Sequence, residues 1–169
     1  MVCFLLFGCD NKYKDYEHYD LKDKDIKDYT VHFDDGEANY TIADISDTVG
    51  YTEIQVYGIF LKLSDNDYIL LDKFEGSGSV QAITKFYANK LYVIATGANS
   101  GFYIYNLNYE QFTKKKVQFK ANKEVGPITI KDVKAGEIYL FGMTFNGTNN
   151  ISSNFKCSLD TYRCEQIED

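Results

Sequence analysis

The chain has 169 residues, 44% hydrophobic and 25% charged, and its 12 Phe and 15 Tyr exceed what a disordered chain carries; one folded core is expected. A net charge of −7 argues against nucleic acid as a partner, because a phosphate backbone needs a basic face and Lys114-Lys115-Lys116 is too short to supply one. With one proline against 12 glycines, turns fall to Gly, Asn, Asp and Ser, the chemistry of tight hairpins.

In chain order, Met1-Val2-Cys3-Phe4-Leu5-Leu6-Phe7-Gly8 is an apolar run that stops at Cys9, and Asp10-Asn11-Lys12 opens a strongly polar stretch. The run falls far short of the roughly 20 residues of a membrane span, which leaves the end of a secretory signal or a buried N-terminal strand. Leu6-Phe7-Gly8-Cys9 resembles the lipobox of bacterial lipoproteins, in which such residues precede the cysteine that becomes the lipidated N-terminus. The resemblance implies that residues 1–8 are removed, that Cys9 carries the lipid, and that the protein resides at the periplasmic or extracellular face of the envelope, held to the membrane by that anchor only. Asp10 resembles the signal that keeps enteric lipoproteins in the inner membrane. Residues 9–28 alternate Lys with Asp or Glu, as in Lys22-Asp23-Lys24-Asp25, and read as a polar tether. A short solvated helix through Tyr13, Tyr16 and Tyr19 is the alternative there.

From Tyr29 to the end, apolar residues recur at a period near two and are rich in Val, Ile, Tyr, Phe and Thr, so 29–169 is expected to be an all-β domain. About thirteen strands are predicted: 29–33, 40–45, 53–57, 59–63, 68–74, 80–87, 91–96, 102–107, 113–119, 128–133, 138–144, 154–158 and 162–167. Hairpin chemistry links them at Asp34-Asp35-Gly36-Glu37, Ser64-Asp65-Asn66-Asp67, Ala88-Asn89 and Lys134-Ala135-Gly136, so sequential strands should pair as an antiparallel meander.

A faint repeat runs through this region. Ala88-Asn89-Lys90-Leu91-Tyr92-Val93-Ile94 aligns with Ala135-Gly136-Glu137-Ile138-Tyr139-Leu140-Phe141, and Gly58-Ile59-Phe60-Leu61 with Gly101-Phe102-Tyr103-Ile104-Tyr105, at spacings of 47 and 43 residues. Three blade-like units, 39–74, 83–119 and 127–167, follow. They resemble β-propeller blades in period and strand order, but three blades do not close a ring, so a barrel or sandwich and a partial propeller both stand.

Cys157 and Cys164 flank Ser158-Leu159-Asp160-Thr161-Tyr162-Arg163. A two-residue turn at Asp160-Thr161 would pair Leu159 with Tyr162, Ser158 with Arg163 and Cys157 with Cys164, at a separation within disulfide range. The pair therefore predicts a disulfide and an oxidising compartment, over free thiols or a metal pair.

For catalysis, His18 falls in the tether and His32 in a strand, away from any evident nucleophile. Asp34-Asp35 and Asp65 with Asp67 sit in predicted turns, where Asp serves the backbone. Glu75-Gly76-Ser77-Gly78-Ser79 lacks the lysine of a phosphate loop. The loop within 141–150 is the candidate recognition loop. No catalytic residue, metal or cofactor is predicted. The expected function is non-catalytic binding of a protein partner, in concrete form an immunity protein against a toxin. A lipid- or glycan-binding β-barrel carrier and a subunit of an envelope assembly are the alternatives.

Overall fold

In the computed structural model of the chain, the described residues are 15–34, 36–46, 54–108, 111–145 and 147–168; Cys9 and the lipobox-like residues lie outside them. Among these residues the strands are β1 (His18–Tyr19), β2 (Ile26–Phe33), β3 (Gly36–Asp44), β4 (Gln55–Ser64), β5 (Asp67–Gly76), β6 (Thr84–Tyr87) and β7 (Lys90–Ala95). They continue as β8 (Gly101–Asn108), β9 (Gln111–Val117), β10 (Phe119–Lys120), β11 (Glu124–Lys134), β12 (Glu137–Phe145), β13 (Asn150–Ser158) and β14 (Cys164–Ile167). One helical turn, α1 (Val80–Ile83), precedes β6, and a 3-10 turn (Gly97–Asn99) joins β7 to β8. The protein is all-β, as the alternating pattern predicts.

The strands form three antiparallel sheets in the orders β1-β5-β4-β3-β2, β6-β7-β8-β9 and β10-β11-β12-β13-β14. Each contains a sequential four-strand meander, with β1 and β10 as additions at an edge. The weak repeat acquires a structural meaning from this. β7 and β12, which carry one aligned pair of segments, are each the second strand of a meander; β4 and β8, which carry the other, are each the third.

The described residues divide into two compact units: residues up to Ile45 with Tyr57–Lys73, and Ser46, 54–56 and the chain from Phe74 onwards. The first unit is built on the first sheet. Its core contains Leu21, Ala43, Phe60 and Tyr68, and the Tyr19 ring meets Phe60 edge-on with centroids 5.1 Å apart. The span read as a tether therefore contributes β1 and the buried Leu21 to this core. The Leu70 amide donates to the Glu17 carbonyl at 3.1 Å, which seats β1 along β5.

The second unit contains the other two sheets. Ala88 and Asn89, at φ 49° and 58°, make the left-handed two-residue turn whose twist matches a β-hairpin. In the third sheet, β11 pairs with β12 through two register irregularities, between Pro127 and Thr129 and between Ile130 and Asp132. Such bulges bend a strand and raise its twist. The sheet curls until its opposite edges meet: Lys120 bridges Arg163 in parallel, and the Lys120 amide donates to the Tyr162 carbonyl at 2.9 Å. Phe119, Val125, Ile138, Leu140, Phe155 and Cys157 are buried in this partial barrel. Full burial of such apolar side chains stabilises by roughly 1.5–3 kcal/mol each.

Three strand expectations are corrected. The strands predicted at 53–57 and 59–63 are joined in β4, because Gly58 lies within the ladder, opposite Ala43. The predicted strand 80–87 begins as α1, because Ser79 caps it: its hydroxyl accepts from the Ala82 amide at 3.3 Å, and Thr84 returns the chain to extended geometry. The strand predicted at 113–119 is interrupted at Gln118, where the chain passes from the second sheet to the third.

Candidate functional site

The cysteine pair is where spacing placed it. Cys157 stands opposite Cys164 in the β13–β14 ladder, with sulfurs 1.99 Å apart, at disulfide distance. The turn between them is wider than two residues. Ser158 and Arg163 do bond, amide to carbonyl, at 2.9 Å, but Tyr162 donates its amide to the Ser158 carbonyl and Leu159 donates to Gly136, so Leu159 and Tyr162 do not pair. Tyr162 closes the turn at φ 55°, a left-handed conformation unusual for a bulky residue.

That turn holds Tyr162 against the β9–β10 passage. The Lys115 ammonium donates to the Tyr162 hydroxyl at 2.7 Å and lies 4.8 Å from its ring centroid. The Tyr162 ring meets Phe119 edge-on at 6.2 Å, and Phe119 in turn meets Phe102 at 4.8 Å. An aromatic ladder thus leads from the bridged turn into the second sheet. Burial raises the pKa of the nearby Tyr92 phenol, and Tyr87 and Tyr162 add to the shift.

Phe102 and Phe119 belong to the lining of a cleft of about 910 Å³. Its walls are the end of β7 with the 3-10 turn, the passage Val117–Phe119, and the first residues of β11 from Glu124 to Pro127. Lys116 and Glu124 give it one charge of each sign. Lys116 donates to the Ser100 carbonyl at 2.7 Å, and its side chain runs so close to Gly101 that a Cβ there would collide with it. Gly97 suits its left-handed φ of +71°, and a Cβ there would displace the Glu75 carboxylate. Thr96 lines the same cleft, and its hydroxyl is buried, with no hydrogen-bond partner among the described residues. An orphaned buried hydroxyl costs about 1–3 kcal/mol.

Beside the cleft, the β12–β13 hairpin carries the candidate recognition loop, of which Asn146 lies outside the described residues. Val125 and Gly126 of the cleft wall pair with Thr144 and Met143 of β12. Met143 is 39% exposed, Phe145 55% and Ile151 42%. Phe145 faces Asn150 and Met143 faces Ser152, whereas Ile151 faces Thr144, so apolar side chains project from both faces of the hairpin end. The Lys123 ammonium lies 5.9 Å from the Phe145 ring centroid.

The remaining sequence candidates scatter. His18 pairs with Asp67 at 2.7 Å, both about half exposed, and so ties β1 to β5; residues 49 apart in sequence gave no local sign of it. His32 lies 3.6 Å from Glu37 across the β2–β3 hairpin. Asp65 takes Lys62 at 3.1 Å. Lys114 and Lys116 lie over the Tyr103 ring of their own sheet at 4.7 and 5.6 Å, so these two lysines of the run cover an aromatic ring. Among the described residues no three His, Cys, Asp or Glu side chains converge to hold a metal, and no helix is long and apolar enough to cross a membrane. The aromatic ladder and the cleft were missed because they join segments distant in sequence.

Compared with known protein families, curated proteins and solved structures, the chain matches none.

Proposed function

We propose that the protein is a non-catalytic lipoprotein of the bacterial envelope that binds a protein partner with the cleft of its second unit and the β12–β13 hairpin beside it. The exposed Met143, Phe145 and Ile151 carry this reading. Met143 and Phe145 share one face of the hairpin end and Ile151 lies on the other, and the apolar surface each leaves in solvent is what a partner gripping this end would desolvate. The cleft adds one charge of each sign, Lys116 and Glu124, the kind of polar feature that orients a partner. An acidic chain of net charge −7 attracts a basic partner, as an inhibitor of a basic toxin would. A lipid on Cys9, read from Leu6-Phe7-Gly8-Cys9, holds the protein at the membrane, and the bridged cysteines suit the same oxidising compartment.

Two measurements test the proposal. A photo-crosslinking residue at Phe145 or Ile151, in the full chain in its host, should yield the same discrete protein adduct; the same probe at Glu165 on β14 should not. Adducts from all three positions alike, or from none, contradict the interface. Mass measurement of the mature protein should find an acylated chain beginning at Cys9, and a chain that retains Met1 contradicts the anchor.

A further inference from the structure

We propose that the Cys157–Cys164 disulfide is a redox-sensitive fastener that holds the cleft in its binding shape through Tyr162. The inference rests on the cleft being the binding site, and deepens that reading by assigning its regulation.

Three contacts leave the bridged turn for the β9–β10 passage, and one of them, to Phe119, reaches the cleft wall itself. Tyr162 accepts from Lys115 of β9, packs edge-on against Phe119, and accepts through its carbonyl from the Lys120 amide, while Arg163 bridges Lys120. Phe119 lines the cleft, and through the pair Phe119–Val125 the same passage supports the β11 wall. These contacts are also what brings the two edges of the third sheet together. Tyr162 makes them from a left-handed backbone conformation that a non-glycine residue adopts at a cost, so the turn needs something to keep it there. The disulfide does so by closing the seven-residue separation between Cys157 and Cys164. A bond that served only to staple β13 to β14 would not need a tyrosine reaching across to another sheet.

The chemistry is thiol–disulfide exchange with a dithiol. Cys157 is fully buried and Cys164 partly exposed, so a dithiol thiolate attacks the Cys164 sulfur and Cys157 leaves as thiolate. The second thiol of the reductant then attacks the mixed disulfide. The reductant ends as a disulfide, the protein as two thiols, and the two protons of the dithiol pass to Cys157 and Cys164. With the loop open, Tyr162 relaxes to an ordinary backbone conformation and withdraws from Lys115 and Phe119, which frees the cleft wall from Val117 to Pro127.

Amide hydrogen exchange on the full-length protein, oxidised and then reduced with dithiothreitol, tests this without any partner, so it can fail while the partner proposal stands. Reduction should speed exchange roughly tenfold or more at Lys120, Tyr162 and the cleft wall, and leave the centres of β7 and β8 unchanged. Tyr162→Ala, with the disulfide intact, should reproduce the faster exchange at Lys120 and in the wall. Faster exchange confined to 157–164, exchange that rises equally throughout the unit, or a Tyr162→Ala protein protected like the native one would each overturn the proposal.

Discussion

The two ends of strand β13 are built in opposite ways. At its C-terminal end Cys157 is buried and bridged to Cys164, Lys156 is paired with Glu137 at 2.7 Å, and the turn beyond docks through Tyr162 on a neighbouring sheet. At its N-terminal end Ile151 stands in solvent beside Met143 and Phe145 of the strand it pairs with. One end is fastened by covalent, ionic and aromatic contacts. The other leaves large apolar groups uncovered. The contrast separates what holds the fold from what is available to a partner, and each side of it can be broken by substitution.

The largest effect is expected midway between the ends. Phe155→Ala removes a side chain that is 2% exposed in the core of the third sheet and should destabilise the second unit by about 3–5 kcal/mol in urea unfolding. Replacing both cysteines by serine at the fastened end should cost about 2–3 kcal/mol, the chain-entropy value for so short a loop. A cost near zero would mean that the turn is held without the bridge.

Smaller, and read through pH, is the ion pair of the same end. Hydrogen bonds from Lys156 and then from Tyr139 hold the Glu137 carboxyl below the ordinary glutamate range, and the Glu137 bond holds Lys156 above the ordinary lysine range. A depressed carboxylate contributes stability above its unfolded pKa and loses it as pH falls through the folded value; a raised lysine contributes below its unfolded pKa and loses that contribution as pH rises through the folded one. Glu137→Gln should therefore differ from the native protein most near neutral pH, with the difference closing towards strong acid and strong base. Unfolding midpoints measured across pH would check this, and a difference that stays constant would exclude the pair as its source. Both side chains are about a third exposed and screened by solvent, so the effect is small.

These features differ in how far the amino-acid sequence foretells them. The alternation from Tyr29 onwards makes the strands legible, and Ala88-Asn89 and Lys134-Ala135-Gly136 mark their turns, because both signals are local. Cys157 opposite Cys164 is legible for the same reason, by counting along a ladder. Tyr162 is not: its partners Lys115 and Phe119 lie more than 40 residues away, and the wider turn follows from Leu159 bonding to Gly136. Val80–Ile83 misleads because a four-residue stretch with Val80 and Ile83 at its ends suits a strand as well as a helical turn, and the Ser79 cap decides. The cleft is the least legible feature. Its wall draws on segments around Ile94, Gly101, Val117 and Val125, which meet only once the second and third sheets are formed.

The open end provides the sharpest separation. Phe145→Asp alters a side chain that is 55% exposed, and surface substitutions of this kind usually change stability by no more than about 0.5 kcal/mol. Urea unfolding and photo-crosslinking from Ile151 should be measured on this one variant. An unchanged unfolding midpoint with the crosslinked adduct lost is the predicted result. An adduct that survives, or a midpoint that falls as far as it does when the cysteines are replaced, would contradict the assignment of this end to recognition.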